Sequence, residues 1–186
     1  MANLIITIIS IALVAVAALM GAYYGGTAFL QGQGKAYANS FVSQGEQIIA
    51  AWSIYAADRG GSWTLANVAA LSSVSPAYIT SAPQPPAGVT NSAAPSVWTT
   101  VNLSDISAGT STTFNAVYVR LTDDSAGANV CNLVSQMIGG SSALPTRTSV
   151  ANNINGSTGK FGCVFVNTSA SVLGTGDTKY IYYRAY

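Results

Sequence analysis

The sequence predicts an α+β fold in which one long N-terminal α-helix lays its second half on an antiparallel β-sheet. The first 34 residues contain no charged side chain, Lys35 being the first. Apolar residues then recur at the helical period as far as Tyr55. The C-terminal half holds short β-branched and aromatic runs separated by glycine- and serine-rich stretches.

From Met1 to Tyr24 the chain is apolar apart from Asn3, Thr7 and Ser10. As a helix this stretch is roughly 36 Å long at about 1.5 Å per residue, enough to cross a bilayer core. A secretory signal fits it poorly, since no Lys or Arg precedes the apolar run and the run is long for a signal core. Eleven large aliphatic side chains need burial in lipid or protein: Leu4, Ile5, Ile6, Ile8, Ile9, Ile11, Leu13, Val14, Val16, Leu19 and Met20. Further on, Tyr37, Phe41, Ile48, Trp52 and Tyr55 form one apolar stripe, and Gln44, Glu46, Gln47 and Asp58 fall off it. Phe41, Ile48, Trp52 and Tyr55 are therefore expected to join the helix to the head core. A single helix from about Ala2 to Ala57, stopped by Gly60-Gly61, accounts for both halves. Gly21, Gly25, Gly26, Gly32 and Gly34 each cost up to about 1 kcal/mol against alanine. Local melting between Gly21 and Gly34 is expected, with close helix–helix packing through small residues as the alternative.

Residues 62–112 read as irregular, with Pro76, Pro83, Pro85, Pro86 and Pro95 among small polar residues and a short helix near Leu65 to Leu71. A strand is expected from Phe114 to Leu121, a short helix from Ala126 to Ile138, and strands at Phe161 to Asn167 and Lys179 to Tyr186. In the last strand, Tyr180, Tyr182, Arg184 and Tyr186 share one face, and Ile181, Tyr183 and Ala185 the other. One face should be core against the helix; the tyrosine row suits core, subunit contact or an adhesive patch. The chain thus divides into a hydrophobic anchor, 1–34, and a head, 35–186, that includes the amphipathic half of the helix.

Of the 186 residues only 7% are charged, seven Lys and Arg against six Asp and Glu, for a net charge of +1. No basic run exists to steer nucleic acid, so no direct nucleic-acid binding is predicted. Histidine is absent, which removes the commonest general base and leaves neither a Ser-His-Asp nor a Cys-His arrangement. No enzyme, metal centre or cofactor is expected. The run Asn155-Gly-Ser-Thr-Gly159-Lys160 departs from a phosphate loop at Ile154 and Phe161, and reads as a turn. Asp123-Asp124 reads as a solvated turn rather than a calcium loop. Asn102-Leu-Ser, Asn155-Gly-Ser and Asn167-Thr-Ser match the N-glycosylation acceptor pattern. Cys131 and Cys163 are too few for a disulfide scaffold; in an exported chain they most simply form one bridge, with two buried free thiols as the alternative.

The run Gln44-Gly-Glu-Gln-Ile-Ile-Ala-Ala-Trp-Ser-Ile-Tyr55-Ala-Ala-Asp58-Arg-Gly60-Gly, followed by Leu65, Leu71, Tyr78-Ile79 and Pro83, resembles the end of the long helix and the next loop in type IV pilins. Val130-Cys131-Asn-Leu-Val134 on a short helix, with Cys163 in a strand, resembles the disulfide-bounded region of the type IVb branch. The greasy N-terminal helix is the third point of likeness. The resemblance, closest to a type IVb major pilin, implies the type IV pilin fold and a Cys131–Cys163 bridge. It implies a structural subunit held in the inner membrane, then polymerised into an extracellular pilus filament of the kind used in cell adhesion. Leu4, Ile5, Ile8, Ile9, Ile11, Leu13, Val16, Leu19 and Met20 would pack the filament core. Implied partners are further copies of the chain, a prepilin peptidase, an assembly ATPase with its platform protein, and an outer-membrane secretin. The sequence is then read as a mature form, with Met1 the processed and methylated residue. One departure stands out: the family carries a glutamate at the fifth position, where this chain has Ile5. That favours a minor or tip pilin, or a type II secretion pseudopilin, as alternatives, beside a membrane-anchored periplasmic domain that never polymerises.

Overall fold

Helix α1 runs unbroken from Ala2 to Asp58, 57 residues and about 85 Å at the standard helical rise. The computed structural model describes residues 2–91, 97–107, 110–139, 146–148, 159–166 and 178–185. The expected melting between Gly21 and Gly34 does not occur, and the helix passes through that region intact. Its glycines are spread among alanine, leucine, glutamine and aromatics with no proline. Once helix is established on both sides, each further residue gains a backbone hydrogen bond that outweighs its glycine cost. Close packing explains one of these glycines: a Cβ on Gly34 would lie 2.8 Å from both Asn129 Nδ2 and Leu133 Cδ1 of a second helix. The helix ends as its sequence dictates. Gly60 and Gly61 take positive φ, 69° and 87°, and the Gly61 N–H donates to the Ala56 carbonyl at 2.8 Å, closing a Schellman cap.

The following segment reaches helicity only in α2, Ala70–Ser73, shorter and later than the expected Leu65 to Leu71. Leu65 and Leu71 are both buried; Leu65 anchors the loop, and Leu71 is the buried residue of α2. Strand β1, Thr99–Ser107, lies in the stretch read as irregular and corrects that reading. It pairs antiparallel with β2, Thr110–Arg120, from Thr99 opposite Tyr118 to Ser107 opposite Thr110. Helix α3 spans Ser125–Gly139. A three-residue strand β3, Thr146–Thr148, was not foreseen. Strands β4, Phe161–Val166, and β5, Thr178–Arg184, complete a sheet of order β1-β2-β5-β4-β3. Its first four strands are antiparallel, and β3 joins the edge parallel to β4.

The two faces of this sheet bury different sets. Val117, Val119, Ile181, Tyr183 and Cys163 face α1 and α3, packing with Phe41, Ile48 and Trp52. On the other face Val101, Ala116, Tyr118, Val164, Tyr180 and Tyr182 form a second buried cluster. Tyr180 and Tyr182 are thus core residues, not an exposed row; Tyr186 lies outside the described residues. Burial pushes the Tyr118 and Tyr180 phenols above their ordinary value.

The Asp123-Asp124 pair sits at the start of α3. Asp123 pairs with Arg120 at 2.8 Å. Asp124 is a helix N-cap, its Oδ1 accepting from the Gly127 N–H at 2.9 Å and from the Thr122 hydroxyl at 2.7 Å. The Gly127 bond, then the Thr122 bond, hold its carboxyl below the ordinary value of 3.8. Asp124→Ala should destabilise the head by about 1 kcal/mol. Because the folded pKa is depressed, the ionic part of the cap is present above about pH 4 and is lost as pH falls through the folded value. Asp124→Asn should keep most of the stability while flattening this acid dependence, read by urea unfolding across acidic pH.

Candidate functional site

The N-terminal half of α1 has the composition of a core and the exposure of a surface. All eleven aliphatic side chains from Leu4 to Met20 are exposed, from 50% for Val16 to 72% for Leu19. At 100° per residue these positions surround the helix, so no polar stripe remains to face water. Tyr23, Phe29 and Leu30 extend the same exposed surface toward the head. The hydroxyls of Thr7 and Ser10 are satisfied within the helix: Thr7 Oγ1 donates to the Asn3 carbonyl and Ser10 Oγ to the Ile6 carbonyl, each at 2.8 Å. Neither therefore resists transfer out of water. Asn3–Gly21 is long and apolar enough to cross a bilayer by length and composition. Met1 lies outside the described residues.

Among the described residues, burial along α1 begins at Gly34. Beyond it Phe41, Ile48, Trp52 and Tyr55 are buried as the stripe predicts. Gln44, read from the spacing as off the stripe, instead turns toward the head. Its Oε1 accepts from Trp98 Nε1 at 2.9 Å, and its Nε2 donates to the Gln84 carbonyl at 2.9 Å. One carboxamide thereby ties α1 to the loop before β1 and to the first aromatic of the β1 segment. Gly45 provides the closest approach of helix to sheet, since a Cβ there would lie 2.7 Å from Tyr183 Cδ2. Farther along, Tyr78 donates its hydroxyl to Asp58 Oδ2 at 2.9 Å, which raises the phenol's pKa, and Arg59 lies over the Tyr55 ring.

Cys131 on α3 and Cys163 on β4 are disulfide-bonded, with Cα atoms 5.3 Å apart and both residues buried. Among the described residues no His, Cys, Asp or Glu cluster is placed to hold a metal ion. Asn102 is exposed on β1, while the acceptor asparagines 155 and 167 and most of the glycine-rich run before Phe161 lie outside the described residues. Sequence reasoning missed Gln44 and Trp98, whereas the close helix–helix packing it weighed as an alternative is found at Gly34. The β-branched and aromatic run Val97-Trp98-Thr99-Thr100-Val101 was the available signal for Trp98.

The arrangement couples an exposed, predominantly apolar helical surface to a head whose buried clusters, among the described residues, contain none of the stalk. Comparison with family models, with curated proteins and with solved structures finds no match to the chain.

Proposed function

We propose that this chain is a structural subunit that polymerises through its N-terminal helix into an extracellular type IV pilus filament. One observation carries the reading: the apolar side chains from Leu4 to Met20 are all exposed, are distributed all around the helix and belong to the same helix that organises the head. Burying those eleven side chains is worth on the order of 16–33 kcal/mol relative to water. In the subunit pool the inner membrane supplies that burial, and in the filament neighbouring helices do. Transfer from lipid to protein gains far less, so assembly draws on a motor. That is the place of an assembly ATPase and platform protein, with a prepilin peptidase acting before them and a secretin after. The α+β head, its helix-bound sheet and its Cys131–Cys163 bridge are compatible with a pilin head and supply a weakly charged outer coat.

Ile5 favours a second reading, a minor or tip subunit or a secretion pseudopilin. Were Met1 the processed terminus, then with no side-chain carboxylate between it and Glu46 its buried amine would have only uncharged acceptors such as Asn3, Thr7 or a backbone carbonyl, a costly environment for an ammonium.

Expression with assembly machinery, followed by electron microscopy with antibody against the head, tests both. Label along the whole length of filaments is expected. Label confined to tips would support the second reading. Absence of filaments, with processed protein accumulating in the membrane, would leave only the anchored domain.

A further inference from the structure

A cleft of about 510 Å³ opens where the distal end of α1 meets the first strand pair, walled by Trp52, Trp63, Thr64, Thr100, Asn102 and Asn115. We propose that it binds a neutral saccharide, one pyranose ring at a time, whether free or at the end of a glycan. The volume falls within the roughly 300–1,000 Å³ usual for small-molecule sites.

The chemistry of the walls narrows the class. None of the lining side chains is charged, so an anionic or cationic ligand would lose hydration without gaining a partner. The wall is also too polar for a purely apolar guest. Asn102 and Asn115 are paired across β1 and β2, and both line the same cleft. Neither carboxamide has a hydrogen-bond partner among the described residues. Each offers a donor and an acceptor side by side, matching hydroxyl groups that both donate and accept.

The aromatic wall fits a sugar better than a flat base. Trp63 is half-buried and meets Trp52 edge-on, with ring centroids 5.7 Å apart and planes at 64°. Two rings so inclined form no parallel slot for a planar guest. One indole surface flanked by amides instead suits a pyranose, which presents C–H bonds on one side and hydroxyls around its rim. Trp52 is 2% exposed, and its Nε1 has no acceptor among the described residues. Trp52 thus serves as the packed back of the wall, and the reachable polar groups are those of Asn102, Asn115, Thr64 and Thr100. Location agrees with the chemistry: Trp52 lies 31 residues beyond Gly21 on one helix, about 46 Å from the end of the apolar span.

The test uses the full chain in phosphocholine micelles, free of sugar detergent, from a host that does not glycosylate Asn102. Saturation-transfer NMR is run with methyl glucoside, methyl galactoside, methyl mannoside and N-acetylglucosamine, and with glucuronate as the anionic comparison. Transfer is expected to the ring C–H protons of at least one neutral pyranose. It should fall about fivefold or more, roughly 1 kcal/mol, in Trp63→Ala and in the Asn102→Ala/Asn115→Ala pair. The asparagine pair decides if the tryptophan variant misfolds. The proposal is overturned if no neutral probe takes up saturation, if transfer survives in a folded asparagine pair, or if glucuronate binds more tightly than every neutral probe.

Discussion

Removal of residues 1–30 should convert the protein from one that partitions with membranes or detergent into a soluble monomer of undiminished head stability. The deleted stretch carries the eleven exposed aliphatics from Leu4 to Met20, with Tyr23, Phe29 and Leu30. Among the described residues none of the buried core comes from the removed segment, and burial along α1 begins at Gly34. What remains of α1, Gln31 to Asp58, keeps Phe41, Ile48, Trp52 and Tyr55 against the sheet. Light scattering coupled to gel filtration reads the oligomeric state, and urea unfolding of the truncated head against the micelle-bound full chain reads stability. A truncated head that aggregates, or that loses more than about 1 kcal/mol, would mean that the stalk supports the head fold. Conversely, a single lysine placed mid-stalk, as in Ile9→Lys, costs about 2.5–3.5 kcal/mol of insertion free energy and should shift the full chain out of the membrane fraction.

Loss of the Cys131–Cys163 bridge should destabilise the head by about 3.5–4 kcal/mol, from the loop-closure entropy of a 32-residue separation. Against a typical domain stability of about 5–15 kcal/mol, that is a large share. The bond fastens α3 to β4. Both cysteines are almost wholly buried, so Cys131→Ala/Cys163→Ala is the cleaner variant, adding no hydroxyl to the core. The same burial means that reductant should attack the native protein slowly, at the rate of local opening. Urea unfolding of the variant and of wild-type protein measures the loss; a difference below about 1 kcal/mol would show that the reduced unfolded chain is already constrained.

What was legible in the sequence was what is local. The uncharged stalk, the stripe from Phe41 to Tyr55, the Gly60-Gly61 stop and the division of the last strand into two faces each follow from a single period or a single residue type, whereas which of those faces meets the helix emerged only from the packing. Strand β1 was hidden because its pairing signal is nonlocal: Thr99 to Ser107 is strand-like only once β2 lies beside it, and proline-rich neighbours on its N-terminal side obscured the pattern. Strand β3 is three residues long and carries almost no periodic information. The inward turn of Gln44 could not be read either, because its two partners lie 40 and 54 residues away. At Gly34, propensity counted only a cost, whereas Asn129 and Leu133 use the missing Cβ as space, as Tyr183 does at Gly45. The Leu4–Met20 surface was identifiable from composition, but the Trp52–Asn102–Asn115 cleft required the long helix and the unforeseen strand to meet.

The unbroken course of α1 through Gly21–Gly34 has a kinematic consequence. With no hinge between stalk and head, the two share one rotation axis and one phase. Successive residues point 100° apart around that axis, so sliding the stalk by one residue, about 1.5 Å, against a fixed neighbour while presenting the same facing turns the whole head by more than a quarter-circle. In any assembly packed through this stalk, axial register and head azimuth become a single variable: the choice of which residue meets which neighbour also selects the side of the head that faces outward.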